Sequence, residues 1–153
     1  MHKISRIVAV ICAIMLCFAT LAIAEQKDDL PSAAEMPVLK KGDSDDLVKA
    51  LQEFLVECNY LHEEPSGKFD KVTISALKDL QVVNGVKETG ECDEATWEVL
   101  LNPSGVIIQR TVYKAKSGKV YHEYDDCSNM RTAKELPLST AIRKGLMPCA
   151  RCH

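Results

Sequence analysis

A seven-residue pattern occurs twice in this chain, 23 residues apart: Gly67-Lys68-Phe69-Asp70-Lys71-Val72-Thr73 is echoed by Gly90-Glu91-Cys92-Asp93-Glu94-Ala95-Thr96. Each copy reads as the opening of a helix. The glycine permits a tight turn, the apolar residue (Phe69 or Cys92) is expected to point into a core, and the aspartate caps a helix whose third residue is the threonine. Asp70, Thr73, Asp93 and Thr96 are therefore read as capping groups and not as catalytic ones.

Helical periodicity surrounds the echo. A first helix is expected from Ser44 or Asp45, with Ser44 as its cap and Leu47, Leu51, Leu55 and Cys58 on one stripe. A second runs from about Val72 to Val83, turns Ile74, Leu77 and Leu80 or Gln81 inward, and stops at Asn84-Gly85. A third begins near Asp93, shows Trp97, Leu100 and Leu101, and ends before Asn102-Pro103.

Taken together, the run from Leu39 through Gly42-Asp43 to Leu51-Gln52, then Gly67-x-Phe69-Asp70-x-x-Thr73, Leu80-Gln81 and Gly90-x-Cys92-Asp93-x-Ala95-Thr96-Trp97, resembles the peptidoglycan-binding-domain family found beside cell-wall hydrolases. The resemblance implies a compact three-helix fold that binds wall glycan or stem peptide and performs no chemistry. Two positions depart from the family's usual pattern. Glu57-Cys58-Asn59-Tyr60 stands where members read Leu-Gly-Tyr, and Leu80-Gln81 where many read Phe-Gln. Asparagine, like glycine, accepts the left-handed conformation expected at a helix end.

Cys58 and Cys92 fall at apolar positions of the pattern and are either two buried thiols or one disulfide joining the first helix to the start of the third. The many acidic residues lie on helix faces and caps, so no carboxylate pair of a glycosidase stands out. No Ser/His/Asp order, H-E-x-x-H or phosphate loop is present either, and the chain is read as a non-enzyme.

At the N-terminus, Lys3 and Arg6 precede an uncharged run from Ile7 to Ala24 that ends Ala22-Ile23-Ala24, which reads as a secretory signal cleaved after Ala24. Cys12 and Cys17 follow Ile11 and Leu16, not the small residue a lipoprotein signal needs. No membrane span is expected after cleavage, and the mature chain is placed in the cell envelope or outside the cell. Residues 25–36 are polar, carry Pro31 and read as a linker. Residues 37–101 form the three-helix domain and 102–153 a small C-terminal module, giving a mainly α chain with an α+β end.

Charge divides unevenly. Residues 37–101 carry 7 basic and 14 acidic side chains, whereas 104–153 carry 9 basic and 4 acidic ones. The acidic half argues against nucleic acid as a ligand. The basic half rests either on anionic wall polymers or on its acidic neighbour.

In that basic half, Val106 to Tyr113 reads as a strand, Lys116 to Lys119 as a hairpin turn and Val120 to His122 as the return strand. Leu138 to Gly145 reads as a short helix capped by Ser139 and stopped by Gly145. Tyr113, Tyr121 and Tyr124 either pack the hairpin or form an aromatic platform for sugar. His62 is read as an exposed turn residue.

His122 and Cys127, with Cys149 and Cys152 after a gap of 22 residues, have the spacing of one tetrahedral zinc site. About 50 residues bury little core, so a metal would supply stability that packing cannot. Ser-Gly-x-Val-Tyr-His122-x4-Cys127, followed by the C-x-x-C pair after Pro148, is similar to C-terminal modules of exported bacterial proteins and more distantly to the zinc-binding domain of Ada methyl-acceptor repair proteins. That domain's site is all cysteine, so His122 departs from it and a methyl-transfer role does not follow. A Cys149–Cys152 disulfide is the competing arrangement in an oxidising compartment. Cys149-Ala150-Arg151-Cys152-His153 also spells a c-type haem motif, but within a pattern that already accounts for its cysteines. Thioredoxin-like redox chemistry needs a strand-to-helix C-x-x-C that this segment does not supply.

The expected function is non-catalytic peptidoglycan binding. The alternatives are a docking module for another exported cell-wall protein and an accessory subunit of a wall hydrolase.

Overall fold

The structure is a computed structural model that describes residues 31–127, 130 and 132–153. The signal-like segment, with Cys12 and Cys17, lies outside the described residues. Among those described, no helix is long and apolar enough to cross a membrane.

Three helices build the first half: α1 (Asp46–Glu57), α2 (Lys71–Val83) and α3 (Glu94–Leu100). Asp45, not Ser44, caps α1, its carboxylate accepting from Val48 N at 2.8 Å. Ser44 is instead bridged to Lys68, because the chain there lies alongside the first copy of the echo. The stripe read from the sequence is buried, with Leu47, Leu51 and Leu55 inside, and Leu77, Leu80 and Trp97 close the same core from α2 and α3. Burying each of these large side chains is worth about 1.5–3 kcal/mol relative to exposure.

Both copies of the echo fold alike. Gly67 (φ 72°) and Gly90 (φ 76°) occupy the left-handed region. Phe69 and Cys92 are buried, and Asp70 and Asp93 cap α2 and α3 by accepting from the amides of Thr73 and Thr96 at 3.0 Å. The turns pair with the N-terminal segment: Phe69 N donates to Asp43 O at 2.8 Å, and Cys92 N to Leu39 O at 2.8 Å. One N-terminal segment, which itself turns at Lys41-Gly42, therefore meets both copies.

A buried glutamine locks each turn. Gln52 donates to Lys68 O at 2.9 Å and to Thr73 Oγ1 at 2.8 Å, while its Oε1 accepts from Gly67 N at 2.8 Å. Gln81 repeats the arrangement with Glu91 O at 2.9 Å, Thr96 Oγ1 at 2.9 Å and Gly90 N at 2.9 Å. The glutamine of the preceding helix thus satisfies the turn's inner polar groups, each of which would cost about 1–3 kcal/mol if left buried without a partner. At the end of α1 the chain reverses at Asn59, whose φ of 61° is the left-handed conformation anticipated for it.

Residues of the segment read as a linker enter the fold. Ala33–Glu35 form a 3-10 turn and Met36 is buried. The indole of Trp97 donates to Pro37 O at 2.8 Å.

The second half departs further from expectation. Val106 to Arg110 is not a strand but a strap across the ends of α1 and α2. Ile107 N donates to Asn84 Oδ1 at 2.8 Å, the Tyr60 hydroxyl donates to Ile107 O, and Gln109 N donates to Cys58 O at 3.1 Å. Strand β1 (Thr111–Ala115) begins later and pairs antiparallel with β3 (Ala133–Pro137) in the register Thr111 to Pro137 and Lys114 to Lys134. The hairpin return β2 (Val120–Tyr121) meets β1 at a single bridge between Tyr113 and His122, and pairs in parallel with β4 (Met147–Pro148).

Helix α4 (Leu138–Arg143) packs on α2 and stops at Gly145 (φ 64°), as read. Its cap is not Ser139. The helix starts at Leu138 with Pro137 in the cap position, two residues before Ser139, and Ser139 is buried with its hydroxyl accepting from Gln109 Nε2 at 2.9 Å. Arg143 then reaches across to Asp79 at 2.6 Å and Glu88 at 3.2 Å, the point where the basic and acidic halves meet. Val112, Leu136, Leu138 and Ala141 join the same buried cluster as the three helices.

Candidate metal centre and binding groove

The parallel pairing of β2 with β4 sets the cysteine pair beside the histidine. Tyr121 lies opposite Pro148, and Cys149 N donates to Tyr121 O at 3.0 Å, so the next residue on each strand, His122 and Cys149, enters one small space. His122 is held on its other side by two backbone bonds with Tyr113, both 2.8 Å. Cys127 returns to the site through the turn after Tyr124, and Cys152 through the turn that carries Cys152 N and His153 N back to Cys149 O at 3.2 and 3.1 Å.

One ligand atom from each of His122, Cys127, Cys149 and Cys152 lies within 4.8 Å of every other. His122 Nδ1 stands 3.9 Å from Cys152 Sγ. Tetrahedral zinc with sulfur at about 2.3 Å and nitrogen at about 2.0 Å sets its ligand atoms about 3.5–3.8 Å apart, so the donors require only a small contraction. Backbone amides face the sulfurs: Glu123 N donates to Cys152 Sγ at 3.4 Å. The Arg151 amide, opposed by burial and aided by the Cys152 amide, holds the Cys149 thiol below its usual range. Cys152 is raised instead: the Glu123 amide lowers it, but burial and the neighbouring Cys127 and Cys149 sulfurs outweigh that bond. The four residues singled out from spacing are thus brought together, and a metal ion fits the group.

No disulfide joins any of the described cysteines. Cys58 and Cys92 are buried thiols. Burial, then the charge of Glu57, pushes Cys58 up to about 11, and burial followed by Asp93 raises Cys92 well above its ordinary value. Both remain protonated and inert, packing as small apolar groups. His153, the histidine of the haem-like motif, stands outside the four-residue group. It packs edge-on against Tyr121 with ring centres 5.1 Å apart and lies 3.7 Å from Glu123. The three tyrosines form no common platform, since Tyr121 is buried and Tyr124 is 59% exposed.

A groove of about 530 Å³ runs between α2 and the β1–β3 ribbon. His62, Ser75, Asp79, Arg110, Glu135 and Pro137 are among its lining residues. Its floor includes Tyr60, whose phenol burial pushes above its usual range and keeps neutral. Sequence reading did not find this groove, because one wall is the strand Ala133–Pro137 and the other a helix more than fifty residues earlier. His62, read as a plain turn residue, sits at its edge.

No curated protein and no solved structure matches this chain. Residues 44–100, the three helices with both copies of the echo, match the model of the family described as "Putative peptidoglycan binding domain", which is the family the sequence of this segment resembles.

Proposed function

We propose that this is an exported, non-catalytic protein of the cell envelope that binds peptidoglycan through residues 37–101, with a C-terminal module, residues 102–153, held together by one zinc ion. The match of residues 44–100 to a peptidoglycan-binding domain supports the binding role, and the signal-like run from Ile7 to Ala24 is the ground for export. The convergence of His122, Cys127, Cys149 and Cys152 within 4.8 Å supports the second. Four protein donors fill a tetrahedral zinc, so the ion acts as a closed structural staple with no open position for substrate.

The groove between α2 and the β1–β3 ribbon is the concave surface best suited to the ligand. A stem peptide offers amide groups, carboxylates and a free amine, and the groove presents Arg110 at one place and Glu135 and Asp79 at others. Binding there needs both halves of the chain, which gives the metal-held module a part in recognition. Titrating a purified soluble muropeptide into the isotopically labelled chain tests this reading. Saturable amide shifts around Ser75 and Glu135 are expected, and unchanged spectra at about 1 mM ligand, the range of a weak complex, contradict it.

A further inference from the structure

Four lysines surround a second hollow of about 530 Å³, on the C-terminal half of the chain. Lys114 comes from β1, Lys116 from the turn after it, Lys134 from β3 and Lys144 from the residue that ends α4, with Leu136 and Ala133 between them. Among the described residues, no carboxylate lines this space. Among the described residues the ion pairs of this half use Arg110 and His153 with Glu123, and Arg143 with Asp79 and Glu88, and none of these four lysines takes part. Lys114 Nζ turns to the carbonyls of Ala115 and Lys116, at 3.2 and 3.4 Å.

The strand register makes the arrangement costly. Lys114 and Lys134 are direct partners across β1 and β3, and like charges set directly opposite each other destabilise a sheet. Both follow the ribbon face on which Val112 and Leu136 are buried, so the two ammonium groups continue past the apolar contact with α4 and are joined there by Lys144. An isolated two-stranded ribbon tolerates such a pair best when an anion lies between the charges. Lysine is a compact point charge with rotating donors, suited to phosphate oxygens in many orientations, and among the described residues every charged group that lines the hollow is a lysine.

We propose that this hollow binds phosphate groups, and that its natural occupant is a phosphodiester-linked anionic polymer of the cell envelope. The phosphate site stands on the lysine geometry alone, whereas the polymer as its source rests on the wall-binding reading above. Contact at this second place would anchor the chain to the wall's anionic matrix while the groove beside α2 engages peptidoglycan.

The probe is inorganic triphosphate, titrated into the labelled mature chain at about 50 mM and about 150 mM salt, where screening of exposed charge differs. Saturable shifts confined to the amides of Lys114, Ala133, Lys134 and Lys144 are expected, weaker at the higher salt. The Lys114→Gln/Lys134→Gln variant should lose about tenfold or more in affinity and melt no lower than the unchanged chain, since it relieves a repulsion. Unsaturable shifts spread over all lysines, or an affinity the double variant leaves unchanged, overturn the site.

Sedimentation with sacculi separates the two readings. More protein should sediment with untreated sacculi than with sacculi stripped of phosphate polymers by acid, and the double variant should remove that difference. Equal binding to both overturns the polymer as occupant and leaves peptidoglycan binding intact. Triphosphate binding without sedimentation on either overturns the polymer and the wall-binding reading together.

Discussion

Gln81 donates to the hydroxyl of Thr96 across 2.9 Å in the fully buried centre of the helical half, where its other bonds close the turn at Gly90 and Glu91. Gln81→Leu has a similar volume but strands the buried Gly90 amide and removes one bond each from the Glu91 carbonyl and the Thr96 hydroxyl, which keep Thr89 and Asp93 as partners. We expect a loss of about 2–4 kcal/mol, read as a lower midpoint in urea unfolding with an unchanged slope. Gln52→Leu should behave alike, because Gln52 repeats the bonds with Gly67, Lys68 and Thr73.

Asp70 makes a prediction about pH. The Thr73 amide, opposed by slight burial and aided by the Thr73 hydroxyl and the Val72 amide, holds its carboxyl below the ordinary value of 3.8. The folded chain thus binds this proton less readily than the unfolded one. The cap's contribution is complete above the ordinary carboxylate range and is lost as pH falls through the lowered folded value. Asp70→Ala should cost about 1 kcal/mol at neutral pH and progressively less below about pH 4, checked by urea titrations across that range.

Zinc content gives a third expectation. Protein purified without a histidine tag should carry one zinc ion per chain by elemental analysis, and Cys149→Ser should abolish it. A ligand present at about a hundred times its dissociation constant stabilises by about 2.7 kcal/mol, so chelation should lower the melting temperature by about 5 °C or more. A Cys149–Cys152 disulfide found by mass spectrometry in the native protein would remove the metal from the account.

Blocking the groove should separate binding from folding. Ser75 is exposed on α2 and lines the groove, so Ser75→Trp places an indole in the space without touching the core. Stability should change by less than about 0.5 kcal/mol, while muropeptide affinity falls by about tenfold or more. Isothermal titration and a thermal melt check the two halves of that statement.

The helical half was legible because its signals are local. Asp70 and Asp93 announce caps three residues before their threonines, and the stripe of Leu47, Leu51 and Leu55 needs only the helical period. The caps of α1 and α4 were misplaced for a tertiary reason: Ser44 is drawn into a bridge with Lys68, and Ser139 into the core by Gln109. Val106-Ile107-Ile108 has the composition of a strand, yet Ile107 and Ile108 are 44% and 54% exposed, since this stretch is used as a strap by Tyr60 and Asn84. The partner of β1, Ala133–Pro137, carries little strand propensity and is fixed by pairing alone. The grouping of His122, Cys127, Cys149 and Cys152 was legible from chemistry and spacing, but the parallel contact of β2 with β4 that gathers them was not.

Sedimentation of residues 25–153 with sacculi stripped of phosphate polymers by acid, at about 150 mM salt where weak surface attraction is largely screened, tests the central claim most directly. The account predicts that the protein pellets with the sacculi in saturable amounts and that Ser75→Trp shifts it to the supernatant. Recovery of the unchanged chain in the supernatant at every sacculus concentration would contradict peptidoglycan binding.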